Sequence, residues 1–571
     1  MRAHRSLIAL LPLALLGACA TAEKPGLFEH QAFELAPMGS SYGLFLAGQA
    51  AQKDGRSEEA SDYFQRASKG GAMDGGFLKD RAFTAALLAG EISKAASLAP
   101  VEEGEHAATY RMGLLVKAVE TIAQGGKDAR PLLGADTLGF PHRPAGALLA
   151  PWAAAAVGDV QGSLVRPVVA GDKVVEYFGQ LGQAMLFERA KRYDEAETDY
   201  KALASAPDFG SLFVMDYGGL LERRGRTAEA LTLYDAALSS GADDSELVAA
   251  RARAAARGSA PELPTIRQGA ARALMAPAAS MIAEKQAELA LAYLRLALRL
   301  DPERYEALVL VGDVMAATGD PQAARDAYAK VPAGSPNYAD ARAKLAWSYQ
   351  TAGDKASALR LAGEAASANP TDRDAAVTYA DLLRANDRYA EAAGVLDRLI
   401  ATGGDKADWR LLYMRGVSLE RAGRWQDAEK DLTRALAQQP DEPELLNYLG
   451  YTWIDRGEKL DQALDMVRRA SEANPHSGAM VDSLGWAYFR LGDYKTAVEK
   501  LELAVELEPA DPEINNHLGD AYWRVGRRRE AQFQWNRVLT LEPSVETKAA
   551  VEAKLKSGMA PAPPPHRVAE R

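Results

Sequence analysis

The sequence predicts an all-α chain built as a right-handed solenoid of two-helix hairpins, and three observations carry that prediction. The first is size: 571 residues exceed what one hydrophobic core organises, so the chain is either several domains or one elongated array. The second is composition. Hydrophobic residues at 48% and charged residues at 25% are ordinary for a folded protein, and the 28 Pro and 48 Gly punctuate alanine-rich, helix-favouring segments with few alternating Val, Ile and Thr runs. The third is a 34-residue period in the C-terminal half, the signature of stacked helix pairs. A formal net charge of -11 with no long Lys/Arg block argues against a nucleic-acid ligand.

Residues 1–18 read as a signal peptide. Arg2, His4 and Arg5 form the positive region, Leu7 to Leu16 an apolar run too short to span a bilayer, and Leu16-Gly17-Ala18-Cys19 closes it. Cys19 is the only cysteine, which leaves internal disulfides and cysteine metal sites without ligands. The tetrapeptide resembles the bacterial lipobox, which implies that Cys19 is acylated and becomes the first residue, with 19–40 as a lipidated linker. Acyl chains then hold the body at a membrane while the rest stays aqueous. Ala20 after the cysteine, by similarity to proteobacterial lipoproteins, implies the outer membrane with the body facing the periplasm.

Residues 41–244 form an N-terminal block of degenerate repeats. Gly55, Ala60, Phe64 and Ala67 mark a unit near Ser41, Ala196 and Tyr200 one near Tyr177, and Ala230 and Tyr234 one near Ser211. Between 75 and 176 the pattern decays into alanine-rich helices with irregular loops such as Gly139-Phe140-Pro141-His142. Residues 245–270, with Arg251, Arg253 and Arg257 on a helix followed by Pro261 and Pro264, read as a phase break.

The block 271–556 carries the period most clearly. From Pro512, residues Leu518, Gly519, Tyr522, Ala531, Trp535 and Pro543 fall at positions 7, 8, 11, 20, 24 and 32. The pattern returns from Gly478 (Leu484, Gly485, Tyr488, Ala497, Leu501, Ala504, Pro509) and from Pro443, there with one residue inserted in the turn. Further copies start at Trp409, Ala339 and Tyr305, with a weaker one at Arg373 and a partial one near Ala271, giving roughly a dozen repeats when degenerate ones are included. Small residues at 8, 20 and 27 let helices approach, large ones at 7, 11 and 24 fill between them, and proline at 32 stops the second helix. This resembles the tetratricopeptide repeat. Residues 557–571, with Pro561, Pro563, Pro564 and Pro565, read as a disordered tail.

No enzyme signature survives inspection, so no catalytic residue, metal or cofactor is expected. Gly39-Ser40-Ser41-Tyr42-Gly43 matches a nucleophile elbow, but that motif has meaning only between a strand and a helix, and here it reads as a helix cap. The seven histidines form no metal-spaced pair, and Gly125-Gly126-Lys127 lacks the upstream glycine of a phosphate loop.

A binding surface remains. In a hairpin solenoid the first helix of each repeat lines the concave face, so positions 2, 5, 9, 12 and 13 point at a ligand. Three consecutive units place there Asn447 and Tyr451; Asp482, Trp486, Phe489 and Arg490; and Asn516, Asp520, Trp523 and Arg524. Six of the eight tryptophans lie between 409 and 535, and aromatics with arginine are enriched at interface hot spots. Trp453 and Trp535, at positions 11 and 24, read as core; Trp486 and Trp523 serve either a partner or repeat-to-repeat packing.

Over roughly 443–541 the segments Asn447-Tyr448-Leu449-Gly450-Tyr451, Asp482-Ser483-Leu484-Gly485-Trp486-Ala487-Tyr488 and His517-Leu518-Gly519-Asp520-Ala521-Tyr522-Trp523 resemble a group of proteobacterial tetratricopeptide lipoproteins. The resemblance implies an outer-membrane adaptor that activates a periplasmic carboxy-terminal processing serine protease and recruits peptidoglycan hydrolases to it. Its partners are then proteins, with the membrane reached only through the lipid. The competing reading is a lipoprotein assembly factor for an outer-membrane secretion or exopolysaccharide machine.

Overall fold

The computed structural model describes residues 40–70, 75–103, 107–207, 209–239, 245–368, 372–403 and 408–560. The expected signal peptide, Cys19, the linker up to residue 39 and the tail from residue 561 lie outside them. Among the described residues all regular structure is helical.

The first eight α-helices are α1 (Ser41–Lys53), α2 (Ser57–Ser68), α3 (Gly75–Ala89), α4 (Ile92–Leu98), α5 (Ala107–Gln124), α6 (Ala135–Leu138), α7 (Arg143–Ala156) and α8 (Val160–Ser163). A second group follows: α9 (Lys173–Arg189), α10 (Tyr193–Ala204), α11 (Val214–Arg223), α12 (Thr227–Ser239) and α13 (Ser245–Ala255). The solenoid proper comprises α14 (Ile266–Ala283), α15 (Ala287–Leu300), α16 (Tyr305–Ala317), α17 (Pro321–Ala329), α18 (Tyr338–Thr351), α19 (Lys355–Ala368), α20 (Arg373–Ala385), α21 (Tyr389–Gly403), α22 (Trp409–Arg421) and α23 (Trp425–Gln438). It ends with α24 (Pro443–Arg456), α25 (Leu460–Ala473), α26 (Gly478–Leu491), α27 (Tyr494–Leu507), α28 (Pro512–Arg524), α29 (Arg528–Val538) and α30 (Val545–Ser557).

Each 34-residue unit is one hairpin, and six of the expected starts (305, 373, 409, 443, 478, 512) coincide with a helix start; α18 begins one residue before Ala339. The glycine at position 8 sets how closely the pair packs. A Cβ built on Gly485 would lie 2.7 Å from Leu501 Cγ of the second helix, and one on Gly519 only 2.5 Å from Trp535 Nε1. The inserted residue sits in the α24–α25 turn, where both Gly457 (φ 72°) and Lys459 (φ 45°) take left-handed conformations; the equivalent turns at Gly423 and Gly492 need only the glycine. Trp453 and Trp535 are buried in this core.

The N-terminal helices do not simply extend this stack. Helix α7 packs on both α9 and α14, so the array branches there, and α3, α4 and α5 lie along α15. Trp152 of α7 holds the branch: it is buried, with Gly269 of α14 flat against its six-membered ring and Gly182 of α9 against its pyrrole edge. A Cβ on Gly269 would fall 2.1 Å from Trp152 Cη2, which is why this contact requires glycine. Polar contacts close the junction. Arg299 of α15 donates to Glu120 (2.7 and 3.1 Å), Arg295 Nε donates to the Leu88 carbonyl (3.1 Å), and His142 Nδ1 and Tyr293 Oη are hydrogen-bonded at 2.8 Å. Arg299 holds the Glu120 carboxyl down at about 2, helped by Ser93 and Gln124. Burial, with Arg111 nearby, pushes His142 down to about 4.

Residues 245–270 hold α13, which packs on α11 and α12, then an extended stretch, then the Thr265 capping box that opens α14. Proline at 261 and 264 keeps that stretch non-helical and returns the chain from the side branch to the main stack. At the other end α30 stands where a further repeat would begin and caps the array.

Candidate partner-binding face

Helices α24, α26 and α28 lie side by side, as the first helices of consecutive hairpins must, so the ten sequence-predicted face residues share one surface. The structure gives each of them neighbours. Asp482, Phe489 and Asp520 are buried and the other seven half-buried. The reason is geometric: each first helix presses on the first helix of the next unit, so positions 5 and 12 are partly spent on that contact.

The centre is an aromatic stack held by a buried ion pair. The Trp486 indole stacks on Phe489 of its own helix (centroids 4.6 Å, 7°) and on His517 of α28 (4.0 Å, 15°). His517 Nδ1 is 3.0 Å from both carboxylate oxygens of Asp482. Burial opposes charge on that imidazole, yet Asp482, with Asp520 and Glu513 behind it, raises His517 above the ordinary histidine range. Tyr451 of α24 is raised above the ordinary tyrosine range by burial and by Asp482. Arg490 Nη1 donates to the Asp455 carbonyl on α24 (2.7 Å), tying two repeats together. Three buried polar atoms of the ten face residues have no hydrogen-bond partner among the described residues: Trp486 Nε1 and Arg524 Nε, donors, and Asn447 Oδ1, an acceptor.

The last unit is differently placed, because α30 covers it. Lys554 Nζ donates to Asn516 Oδ1 (2.8 Å) and Asp520 Oδ2 (2.7 Å), and Trp535 Nε1 donates to Asp520 Oδ1 (3.0 Å). Arg524 Nη1 donates to the Ala560 carbonyl (2.7 Å), and Trp523 lies over Trp535 (5.3 Å) with Gly558 at its edge and Arg528 3.7 Å above its ring. The predicted residues from Asn447 to Arg490, half-buried apart from Asp482 and Phe489, are the part of the predicted surface outside these contacts with α30 and residues 558–560.

Sequence reasoning passed over two residues that organise this face. His517 was read only as a histidine without a metal-spaced partner, although it stands 35 residues after Asp482, about one repeat. Lys554 stands 34 residues after Asp520, one full period, and that spacing is the signal that α30 continues the stack.

Elsewhere, Ser40 Oγ accepts from Gly43 N (3.1 Å) as the cap of α1, in keeping with the capping reading of that motif; Gly39 lies outside the described residues. Gly125 and Gly126 form a left-handed turn after α5. Among the described residues no group of three His, Cys, Asp or Glu could hold a metal ion, and no helix is long and apolar enough to cross a membrane.

Family comparisons agree with the architecture. Tetratricopeptide repeat models match residues 181–246 and 413–477, and 281–348 and 349–414; a TPR repeat model matches 485–526. A TPR repeat-containing protein of Pseudomonas aeruginosa is 35% identical over 102 residues, which is 18% of this chain and 17% of that one. The match thus spans less than a fifth of either protein. Among solved structures, a tetratricopeptide repeat protein from Parabacteroides merdae is 15% identical (TM-score 0.38, 44% of this chain and 97% of that one). MamA from Desulfovibrio magneticus is 22% identical (TM-score 0.25, 29% and 97%). With the hairpin register, the position-8 glycines and the matched family models in agreement, the chain is a tetratricopeptide-repeat protein.

Proposed function

We infer that the chain is a protein–protein interaction scaffold, since tetratricopeptide arrays imply protein partners. We propose that it is a non-catalytic adaptor, anchored through acylated Cys19 to the periplasmic face of the outer membrane. In this reading it binds and activates a carboxy-terminal processing protease and brings peptidoglycan hydrolases to it. The observation that carries the reading is the stretch Asn447–Arg490, where the half-buried Trp486 indole, stacked on Phe489, shares the face with half-buried Tyr451 and Arg490. Aromatic and arginine side chains are the commonest hot-spot chemistry. The lipobox-like Leu16-Gly17-Ala18-Cys19 supports the location. Affinity purification of the full chain from detergent-solubilised envelopes, followed by mass spectrometry, tests the proposal. A protease of this class and cell-wall hydrolases are expected; secretion or exopolysaccharide components in their place would favour the assembly-factor reading.

A further inference from the structure

The branch leaves a cleft of about 730 Å³ between the side group α9–α13 and the rim of the main solenoid, roughly two hundred residues upstream of the face described above. Clefts between structural units are where ligands bind most often. Four arginines line it, Arg223, Arg253, Arg272 and Arg304, but they are not equally occupied. Arg223 donates twice to Glu188 (2.6 and 2.8 Å) and to the Pro261 carbonyl (3.0 Å), and Arg272 donates twice to Asp216 (2.6 and 2.7 Å). Among the described residues Arg253 makes one bond, to Glu222 (2.8 Å), and its Nε has no acceptor.

Arg304 is held only by longer contacts. It has Asp301 at 3.2 Å and the Gln268 carbonyl at 3.4 Å, and its Nε also lacks an acceptor among the described residues. Burial and the neighbouring Arg272 hold its pKa below the ordinary arginine range, against the pull of Asp301. A guanidinium kept in a cleft beside a second one and short of acceptors is a built receptor for an anionic oxygen.

Apolar side chains line the same cleft: Leu212, 59% exposed, with Met215 and Pro336. Glu246, Glu262, Glu306 and Asp372 line it too, so a polyanion would be repelled. The ligand that fits this lining carries a single carboxylate beside apolar side chains. We propose that the inter-branch cleft is a second binding site, taking a carboxylate-bearing apolar peptide segment, with Arg304 receiving the carboxylate and Leu212 and Met215 the side chain next to it.

The test does not depend on the C-terminal face. Three pools of fluorescein-labelled nonapeptides of mixed Ala, Leu, Val and Ser are titrated into the full chain by fluorescence anisotropy. One ends in a free carboxylate, one in an amide, and one in an amide with a single internal Glu. Binding of the first or third pool but not the second is expected, and which of the two binds identifies a chain terminus or a side chain as the source. Arg304→Gln should weaken that binding at least about 10-fold. Leu212→Asp, an exposed change that leaves the core intact, should weaken it as well by placing a negative charge at the mouth, whereas Trp486→Ala should leave it unaltered. A photo-crosslinking version of the bound pool should label residues of the cleft even if Arg304→Gln fails to fold. No binding by any pool, equal binding of the amide pool, or crosslinks only on 443–524 would overturn the proposal.

Discussion

Replacing Gly519 by Ala tests whether the packing of the repeats is as close as the structure indicates. The added Cβ meets Trp535 at 2.5 Å from Nε1 and 2.6 Å from Cδ1. Trp535 is fully buried and its Nε1 donates to Asp520, which also holds Lys554, so the indole has little freedom to retreat. Overpacking of this kind costs about 1–3 kcal/mol. Loosening a hydrogen bond to a charged group adds about 1.5 kcal/mol or more. The better helix propensity of Ala returns about 1 kcal/mol. The net is a destabilisation of about 2 kcal/mol, localised to α28–α30. Native-state hydrogen exchange reads it directly: amides of α28 should exchange roughly 30-fold faster, while those of α16–α21 should not change. Gly394→Ala is the control. Gly394 is exposed in the middle of α21 with nothing within 4 Å of an added Cβ, so that variant should gain about 1 kcal/mol from propensity alone. If Gly519→Ala protected α28 as Gly394→Ala protects α21, the close-packing argument would be refuted.

Other expectations concern charge, anchoring and the binding face. His142 is held down at about 4 against an ordinary 6.5, so its contribution to stability is present above pH 6.5 and is lost as pH falls towards 4, by about 3 kcal/mol; His142→Gln should flatten that limb of the denaturation profile. His517 has the opposite sign. Its pKa is raised, so the Asp482 pair stabilises fully below 6.5 and fades as pH rises through the raised value, and His517→Gln should lose that alkaline limb. Cys19→Ser should give a soluble or uncleaved species without lipid label; unchanged membrane fractionation would count against acylation. Trp486→Ala with Arg490→Ala should reduce partner affinity at least roughly 30-fold, and Trp486→Ala should also lower thermal stability, since its indole stacks on Phe489 and His517. Loss of stability with partner affinity unaltered would make Trp486 a packing residue only.

The hairpins were legible because the physics that builds them is local. A small residue at position 8 and alanine at 20, with proline at 32 in most units, recur along the array, and the helix starts from 305 to 512 follow from them. The branch was not legible, because its contacts join residues far apart: Leu88 with Arg295, Glu120 with Arg299, His142 with Tyr293. Gly182 and Gly269 have no distinguishing local pattern, and their role becomes visible only when Trp152 is seen lying between them. The candidate face was half legible. Repeat positions identified which side chains gather on α24, α26 and α28, but not that α30 lies on Asn516 and Asp520 and the residues after it on Trp523 and Arg524, since that depends on how a half-repeat of weak pattern docks. His517 escaped notice because a lone histidine has no sequence signature until its Asp482 partner, one repeat away, is placed beside it.

The adaptor reading is tested most directly by reconstitution. The purified chain is titrated into a periplasmic carboxy-terminal processing protease together with a peptidoglycan hydrolase, and the rate of hydrolase degradation is followed on gels. An adaptor leaves the hydrolase uncleaved on its own and accelerates the protease saturably, an effect lost in the Trp486→Ala, Arg490→Ala variant. Cleavage by the chain in the absence of protease, or a protease rate that does not respond to it at any concentration, would rule out the adaptor role.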